Sequence, residues 1–164
     1  MKGLISQPTN GLGNRLRSMA STYILSRQLD CPFYLSWPNY CDLWKRDFTK
    51  SSEIGTKESI FTQTGDCGLN LSALQNKPVD YIKFSTGQSF VAPGISVAEY
   101  NSLKSEFYNS LQPHGFIVDE AQKFVSKFFK GTVLGIQLRG GDLLKNGICL
   151  NVEDSLPIID PYIT

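Results

Sequence analysis

The sequence predicts an α/β fold, a parallel sheet flanked by helices, on three observations. A short apolar run leads into a glycine-rich loop, the loop into an amphipathic helix, and the helix into an aromatic-rich run, which is the order of a βαβ unit. A second helix-to-strand step is written into residues 117 to 138. The hydrophobic fraction of 41%, with 10 Phe, 7 Tyr and 2 Trp in 164 residues, suffices for a packed core.

Taken in order, Gly3-Leu4-Ile5-Ser6 reads as a buried strand, and Gln7-Pro8-Thr9-Asn10-Gly11, a cluster of turn formers, reads as its loop. Leu16, Met19, Ala20, Tyr23 and Ile24 then recur at helical spacing, with Arg15, Arg17, Ser18 and Ser21 on the other face. This predicts a helix of about four turns. Cys31-Pro32 stops it, and Phe33-Tyr34-Leu35-Ser36-Trp37 predicts a second strand, closed by Pro38 and Asn39. A crossover of this kind makes the two strands parallel and the connection right-handed. From Cys41 to Gln112 the periodicity is poor, and the segment reads only as variable α/β with long loops and short apolar pieces such as Tyr81-Ile82-Lys83-Phe84. Order returns from Ile117 to Phe129, where Ile117, Ala121, Phe124, Val125, Phe128 and Phe129 mark one helical face and Glu120, Lys123, Lys127 and Lys130 the other. Gly131 ends that helix, and residues 132–138 form an apolar, β-branched run that delivers Arg139-Gly140-Gly141-Asp142.

A net charge of +1 leaves no basic surplus for coating a phosphate backbone, so a nucleic-acid partner is not expected. No apolar run reaches the roughly 18–20 residues of a spanning helix, and the first six residues are too short for a signal segment, so the expected location is cytoplasmic and no membrane span is expected. Cys31, Cys41, Cys67 and Cys149 contain no Cys-x-x-Cys pair and are joined by a single histidine, His114. Reduced thiols and no metal site are the expectation. Asn70-Leu71-Ser72 is a sequon that matters only in a secreted protein. His114 in its Pro-His-Gly turn reads as a surface residue without a role, and Trp37 and Trp44, with Tyr34, Tyr40 and Phe48, as core more readily than as a sugar cleft. Glu53, Glu58, Asp66 and Asp80 are scattered and nominate no acid–base pair.

Two loops carry candidate chemistry. In Asn10-Gly11-Leu12-Gly13-Asn14-Arg15, glycines allow a close backbone approach, and the following helix offers unpaired N–H groups and positive charge, reinforced by Arg15 and Arg17. The loop lacks the Lys and Ser/Thr of a Walker A motif and has Leu16 where a dinucleotide fingerprint has its third glycine. On residue types alone it is either an ordinary βα turn or an anion site. In Gly135-Ile136-Gln137-Leu138-Arg139-Gly140-Gly141-Asp142, a strand delivers an arginine to a glycine-rich loop at its carboxyl end. A guanidinium there can clamp a diphosphate, or it can pair with Asp142 in a structural ion pair.

Together the two stretches resemble one family. Gly11-Leu12-Gly13-Asn14-Arg15-Leu16, followed by Ser18-Met19-Ala20-Ser21, resembles the Gly-x-Gly-Asn loop and first helix of the fucosyltransferase-like glycosyltransferases, which include the protein O-fucosyltransferases, the α1,6-fucosyltransferases and the nodulation fucosyltransferases. Residues 134–142 are similar to that family's second motif, V-G-[VI]-H-[IL]-R-R-[GT]-D, with Gln137 in place of the histidine and Gly140 in place of the second arginine. The lead-in Leu111-Gln112-Pro113 followed by a helix is also similar.

The resemblance implies two Rossmann-like domains in a GT-B-like arrangement. Residues 1–130 would be the N-terminal domain and 131–164 the truncated start of the second, nucleotide-sugar-binding domain. It implies metal-independent transfer of fucose from GDP-fucose to a glycan or protein hydroxyl, without a cofactor. Gly11, Leu12 and Gly13 would pass close to donor and acceptor, Asn14 would hydrogen-bond in that cleft with Arg15 beside it, and Gln137 would stand at the donor. Arg139 would hold the β-phosphate and stabilise departing GDP, the one catalytic assignment. Asp142 would fix that loop rather than act as a base. The rival readings are a non-catalytic chain that binds a nucleotide-sugar or glycan, and an unrelated α/β nucleotide-binding enzyme.

Overall fold

A computed structural model describes residues 1–64, 76, 78–91 and 94–131. The chain divides into two compact units, Met1–Glu120 and Ala121–Thr164. The first unit holds an all-parallel, four-stranded sheet with helices against it, an α/β Rossmann-like architecture. Its strands are β1 (Gly3–Pro8), β2 (Phe33–Leu35), β3 (Ile60–Thr64) and β4 (Tyr81–Thr86), in the order β2-β1-β4-β3. Among the described residues the helices are α1 (Leu12–Gln28), α2 (Val97–Ser110) and α3 (Gly115–Phe128). Short 3-10 turns cover Tyr40–Asp42 and Ser51–Glu53.

Central β1 is buried nearly throughout and pairs with β2 through Leu4–Phe33 to Ser6–Leu35, and with β4 along its whole length from Gly3–Tyr81 to Pro8–Thr86. Such a strand needs apolar or small residues on both faces, which Gly3-Leu4-Ile5-Ser6 supplies. β1 extends two residues beyond the expected end, through Gln7 and Pro8. The proline is tolerated because it is the last strand residue, and the next amide, that of Thr9, resumes the ladder by donating to the Thr86 carbonyl at 3.2 Å. β2 is shorter than expected and stops at Leu35. β3 alternates exposed and half-buried residues, as an edge strand does.

Helix α1 starts at Leu12, one turn before the first of its periodic apolar residues, and ends at Gln28, where Asp30 takes a left-handed φ of 46°. One expectation fails on it: Ser18 and Ser21, assigned to the polar face, are fully buried. Helix α2 packs on α1, and at Ser21 it meets the segment that follows β4. The Ser21 hydroxyl donates to the Arg17 carbonyl at 3.0 Å and accepts from the Phe90 amide at 3.1 Å and from the Tyr100 hydroxyl at 2.7 Å. A small hydroxyl therefore joins three segments where a polar face was expected.

The core is in two parts. Leu4, Leu25, Ile82, Phe84 and Phe90 form one, and Met19, Ala20, Leu35, Trp37, Tyr40, Phe107 and Leu111 the other. Trp37 and Tyr40 are thus core, as expected, and Trp44 and Phe48 pack against them from partly buried positions. His114 stays partly exposed, as expected of a surface residue, but is anchored in its turn. It is half-buried, its Nε2 lies 2.7 Å from the Cys41 carbonyl, and its amide donates to the Leu43 carbonyl at 3.1 Å. Glu58 and Asp80 are not scattered: both meet Lys2, at 2.6 and 3.4 Å, and Asp80 accepts from the Ser59 amide and hydroxyl, each at 2.9 Å.

In the second unit the described residues are the rest of α3 and the turn to Gly131, which has a φ of 75°. The α3 helix lies where the periodicity predicts it, with Phe124 packed on Phe128 at 4.7 Å. None of its residues is buried among the described residues. Among the described residues no helix is long and apolar enough to cross a membrane. Among the described residues Cys31 and Cys41 have no disulfide partner. Residues 132–142, with Cys67, Cys149, Asp66 and the sequon, lie outside the described residues.

Candidate functional site

The candidate site is the carboxyl edge of β1 and β4. In the order β2-β1-β4-β3 the chain leaves β1 toward β2, while β4, which follows the far edge strand β3, lies on the other side of β1. In open α/β sheets, ligands gather outside the carboxyl ends of the strands.

The turn out of β1 is made by Asn10, whose φ of 67° is a left-handed conformation that asparagine tolerates better than most residues. The turn depends on β4. A Cβ at Gly87, just past Thr86, would collide with the Asn10 side-chain amide and lie 3.1 Å from the Thr9 carbonyl. A side chain at Gly87 would therefore make the Asn10 side chain shift and would press on the Thr9 carbonyl.

Gly11 is the N-cap of α1 in an extended conformation, and its carbonyl accepts from the Arg15 amide at 3.0 Å. No side chain caps the helix and no acidic residue stands in its first turn. The Leu12, Gly13 and Asn14 amides have no intrahelical acceptor, so positive partial charge concentrates at this end. Arg15 folds back: its Nε donates to the Asn10 carbonyl at 2.8 Å and its guanidinium lies 5.3 Å from the Trp37 ring. Arg17 Nη2 donates to the Asn14 carboxamide oxygen, which leaves the Asn14 NH2 group for other partners.

Neither Gly11 nor Gly13 has a positive φ, and a Cβ built on either meets no atom within 4 Å. The tight turn that was expected of these glycines is made by Asn10. What the two glycines leave is open space beside an uncapped helix end.

Two cavities flank the loop. One of about 470 Å³ is lined by Asn10, Leu12, Arg15, Trp37, Asn39, Asp42 and Leu43, a mixed polar set with one carboxylate. The other, about 370 Å³, is largely apolar and is lined by Gly13, Asn14, Leu16, Arg17, Trp44, Tyr108 and Leu111. In the second, burial raises the Tyr108 hydroxyl pKa, against the lowering effect of Arg17. Trp44 Nε1 is buried without a hydrogen-bond partner among the described residues.

The fold thus brings together Gly11, Leu12, Gly13, Asn14 and Arg15. Gln137, Arg139 and Asp142 lie outside the described residues. Sequence reasoning missed Gly87, Asn39, Asp42 and Trp44 as neighbours of the loop. Gly87 carried a signal, since it directly follows the Tyr81–Thr86 strand run. Compared with known proteins, the chain matches no family model and no curated protein.

Proposed function

We propose that this chain carries the N-terminal, loop-bearing part of a fucosyltransferase-like glycosyltransferase that transfers fucose from GDP-fucose to a glycan or protein hydroxyl. The observation that carries the reading is Gly13. Glycine in a helical turn costs stability, nothing in the described chain requires it, and it stands beside uncapped amides and Arg15 at the carboxyl edge of β1.

In this reading the acceptor hydroxyl attacks the anomeric carbon of the donor with inversion. The bond from that carbon to the β-phosphate oxygen breaks, its electron pair leaves with GDP, and the hydroxyl proton is released. Resemblance assigns Arg139 to the β-phosphate, where a permanently charged, forked donor stabilises developing charge. Gln137 and Asp142 stand beside it in that motif, Asp142 as the loop-fixing carboxylate. Within the first unit, the α1 amides and Arg15 carry positive potential, and the polar cavity with Asn39 and Asp42 offers acceptors for sugar hydroxyls. The reading assigns the chain to a reducing, cytoplasmic compartment.

Isothermal titration of GDP-fucose and GDP into wild type and Arg139→Ala, with a donor-hydrolysis assay, tests it. Saturable donor binding that weakens at least ~10-fold in Arg139→Ala is expected. A folded wild-type chain that binds neither nucleotide sinks the reading.

A further inference from the structure

A second pocket, built from different residues than the loop, lies between α1 and α2. It has a volume of about 290 Å³, and its lining includes Tyr23 and Arg27 of α1, Glu106, Phe107 and Ser110 of α2, and Arg46 from the connection after β2. Arg46 is the organising residue. Its guanidinium lies 5.0 Å from the Tyr23 ring, 4.7 Å from Phe48 and 5.8 Å from Phe107. Nη2 donates to the Tyr23 hydroxyl at 3.0 Å, and Nη1 donates to the Ser110 hydroxyl, which itself donates to the Phe107 carbonyl at 2.6 Å.

Among the described residues every partner of this guanidinium is neutral. Among the described residues, none of Arg27, Arg46 and Glu106 is in an ion pair. A half-buried guanidinium normally gains a carboxylate, because desolvating its charge without one is costly. Here three rings and two hydroxyls fix its plane and leave further N–H donors, and a second guanidinium, that of Arg27, opens onto the same space. Two guanidiniums, one held rigidly, form the donor set that recognises a tetrahedral oxyanion in bidentate fashion. The Glu106 carboxylate on the same wall repels a bare anion but accepts hydrogen bonds from hydroxyls. The volume is at the lower end for a small-molecule site and suits a group of monosaccharide size.

We propose that this pocket binds a sugar monophosphate, with the phosphate on Arg46 and Arg27 and a sugar hydroxyl donating to Glu106. The site is independent of the glycosyltransferase reading, since it shares no residue with the β1–α1 loop or with Arg139.

The full chain is titrated calorimetrically with glucose 6-phosphate, inorganic phosphate and glucose, with GDP-fucose run in parallel and the Tyr23 ring signals followed by NMR. Glucose 6-phosphate is expected to bind saturably, more tightly than inorganic phosphate, and to shift Tyr23, while glucose alone does not bind. Arg27→Ala, at an exposed position that leaves the fold intact, weakens glucose 6-phosphate about 10-fold. Arg46→Lys, which keeps the charge but not the fork, weakens it at least as much. Glu106→Ala tightens inorganic phosphate and narrows the preference for the sugar ester. A folded wild type that binds no glucose 6-phosphate, or binding that survives Arg27→Ala unchanged, overturns the proposal whatever GDP-fucose does. GDP-fucose binding lost without change at Tyr23 counts against the loop reading alone.

Discussion

Replacing Gly13 by alanine separates folding from ligand approach, because the two predict effects of opposite sign. Gly13 is the second residue of α1, its φ is not positive, and a methyl there meets nothing within 4 Å. On folding grounds the change can only help, by reducing the freedom of the unfolded chain and improving helix propensity, worth about 0.5–1 kcal/mol. For a unit the size of Met1–Glu120 the unfolding entropy is about 0.25 kcal/mol/K, so Tm rises about 2–4 °C. On functional grounds the same methyl enters the space where a ligand would touch the backbone, and overpacking of about 1–3 kcal/mol weakens binding roughly 5- to 150-fold. The assay is a pair of measurements on one preparation, a thermal melt and a GDP-fucose titration. Gly11→Ser is the control: it supplies the missing cap, stabilising by a few tenths of a kcal/mol, and tests the space two residues earlier. A Gly13→Ala chain that melts higher and binds donor as well as wild type refutes the argument that this glycine is kept for a ligand.

Other substitutions test the framework around the loop. Gly87→Ala forces a methyl against the Asn10 side chain and the Thr9 carbonyl and is expected to cost about 1–3 kcal/mol, seen as a lower urea midpoint with an unchanged slope; an unaffected midpoint means that Asn10 gives way freely. Ser21→Ala removes the common acceptor of the Phe90 amide and Tyr100 hydroxyl and is expected to destabilise by about 2 kcal/mol or more despite alanine's helix propensity, while Tyr100→Phe costs about 1 kcal/mol; equal costs for the two would remove the three-way role assigned to Ser21. The Asp80 carboxyl is held down at about 2, first by the Ser59 amide, then by the Ser59 hydroxyl and Lys2. Its folded pKa lies below the unfolded one, so its stabilising contribution is complete above about pH 4 and fades as pH falls toward 2. Melts from pH 6 to 2.5 should show part of the acid loss absent in Asp80→Asn, and superimposable wild-type and variant profiles would contradict the assignment.

How far the sequence could be read follows from the range of the interactions that decide each element. β1, α1 and β2 were legible because each is set by a local pattern: an apolar run, a 3.6-residue period, a proline-bounded aromatic run. Strand β4 announced itself only as Tyr81-Ile82-Lys83-Phe84, and its place beside β1 rather than β2 came from pairing across the sheet. Helix α2 was missed although its start is signalled, with Ser96 accepting from the Glu99 amide at 3.1 Å and Tyr100, Leu103 and Phe107 spaced by three and four. The interleaved Asn, Lys and Glu residues diluted that period. Missing α2 had a direct consequence at Ser21, which reads as solvent-facing without that helix and in the fold is buried with its hydroxyl against Tyr100 of α2.

The loop shows the same division more sharply. Its composition identified Asn10 to Arg15 as a place where chemistry is possible, yet composition could not say which glycine serves the fold. Gly87 is crowded by Asn10, a neighbour that only the β1–β4 pairing brings near, and the left-handed turn assigned to the loop glycines belongs to Asn10 itself. Gly11 and Gly13 are left with no contact that a Cβ would disturb. A glycine in that position differs from Gly87 in what its loss exposes. Substituting Gly87 disturbs the fold and through it everything else, whereas substituting Gly13 leaves the fold at least as stable. Only at Gly13, therefore, does a loss of binding report on the ligand rather than on the scaffold.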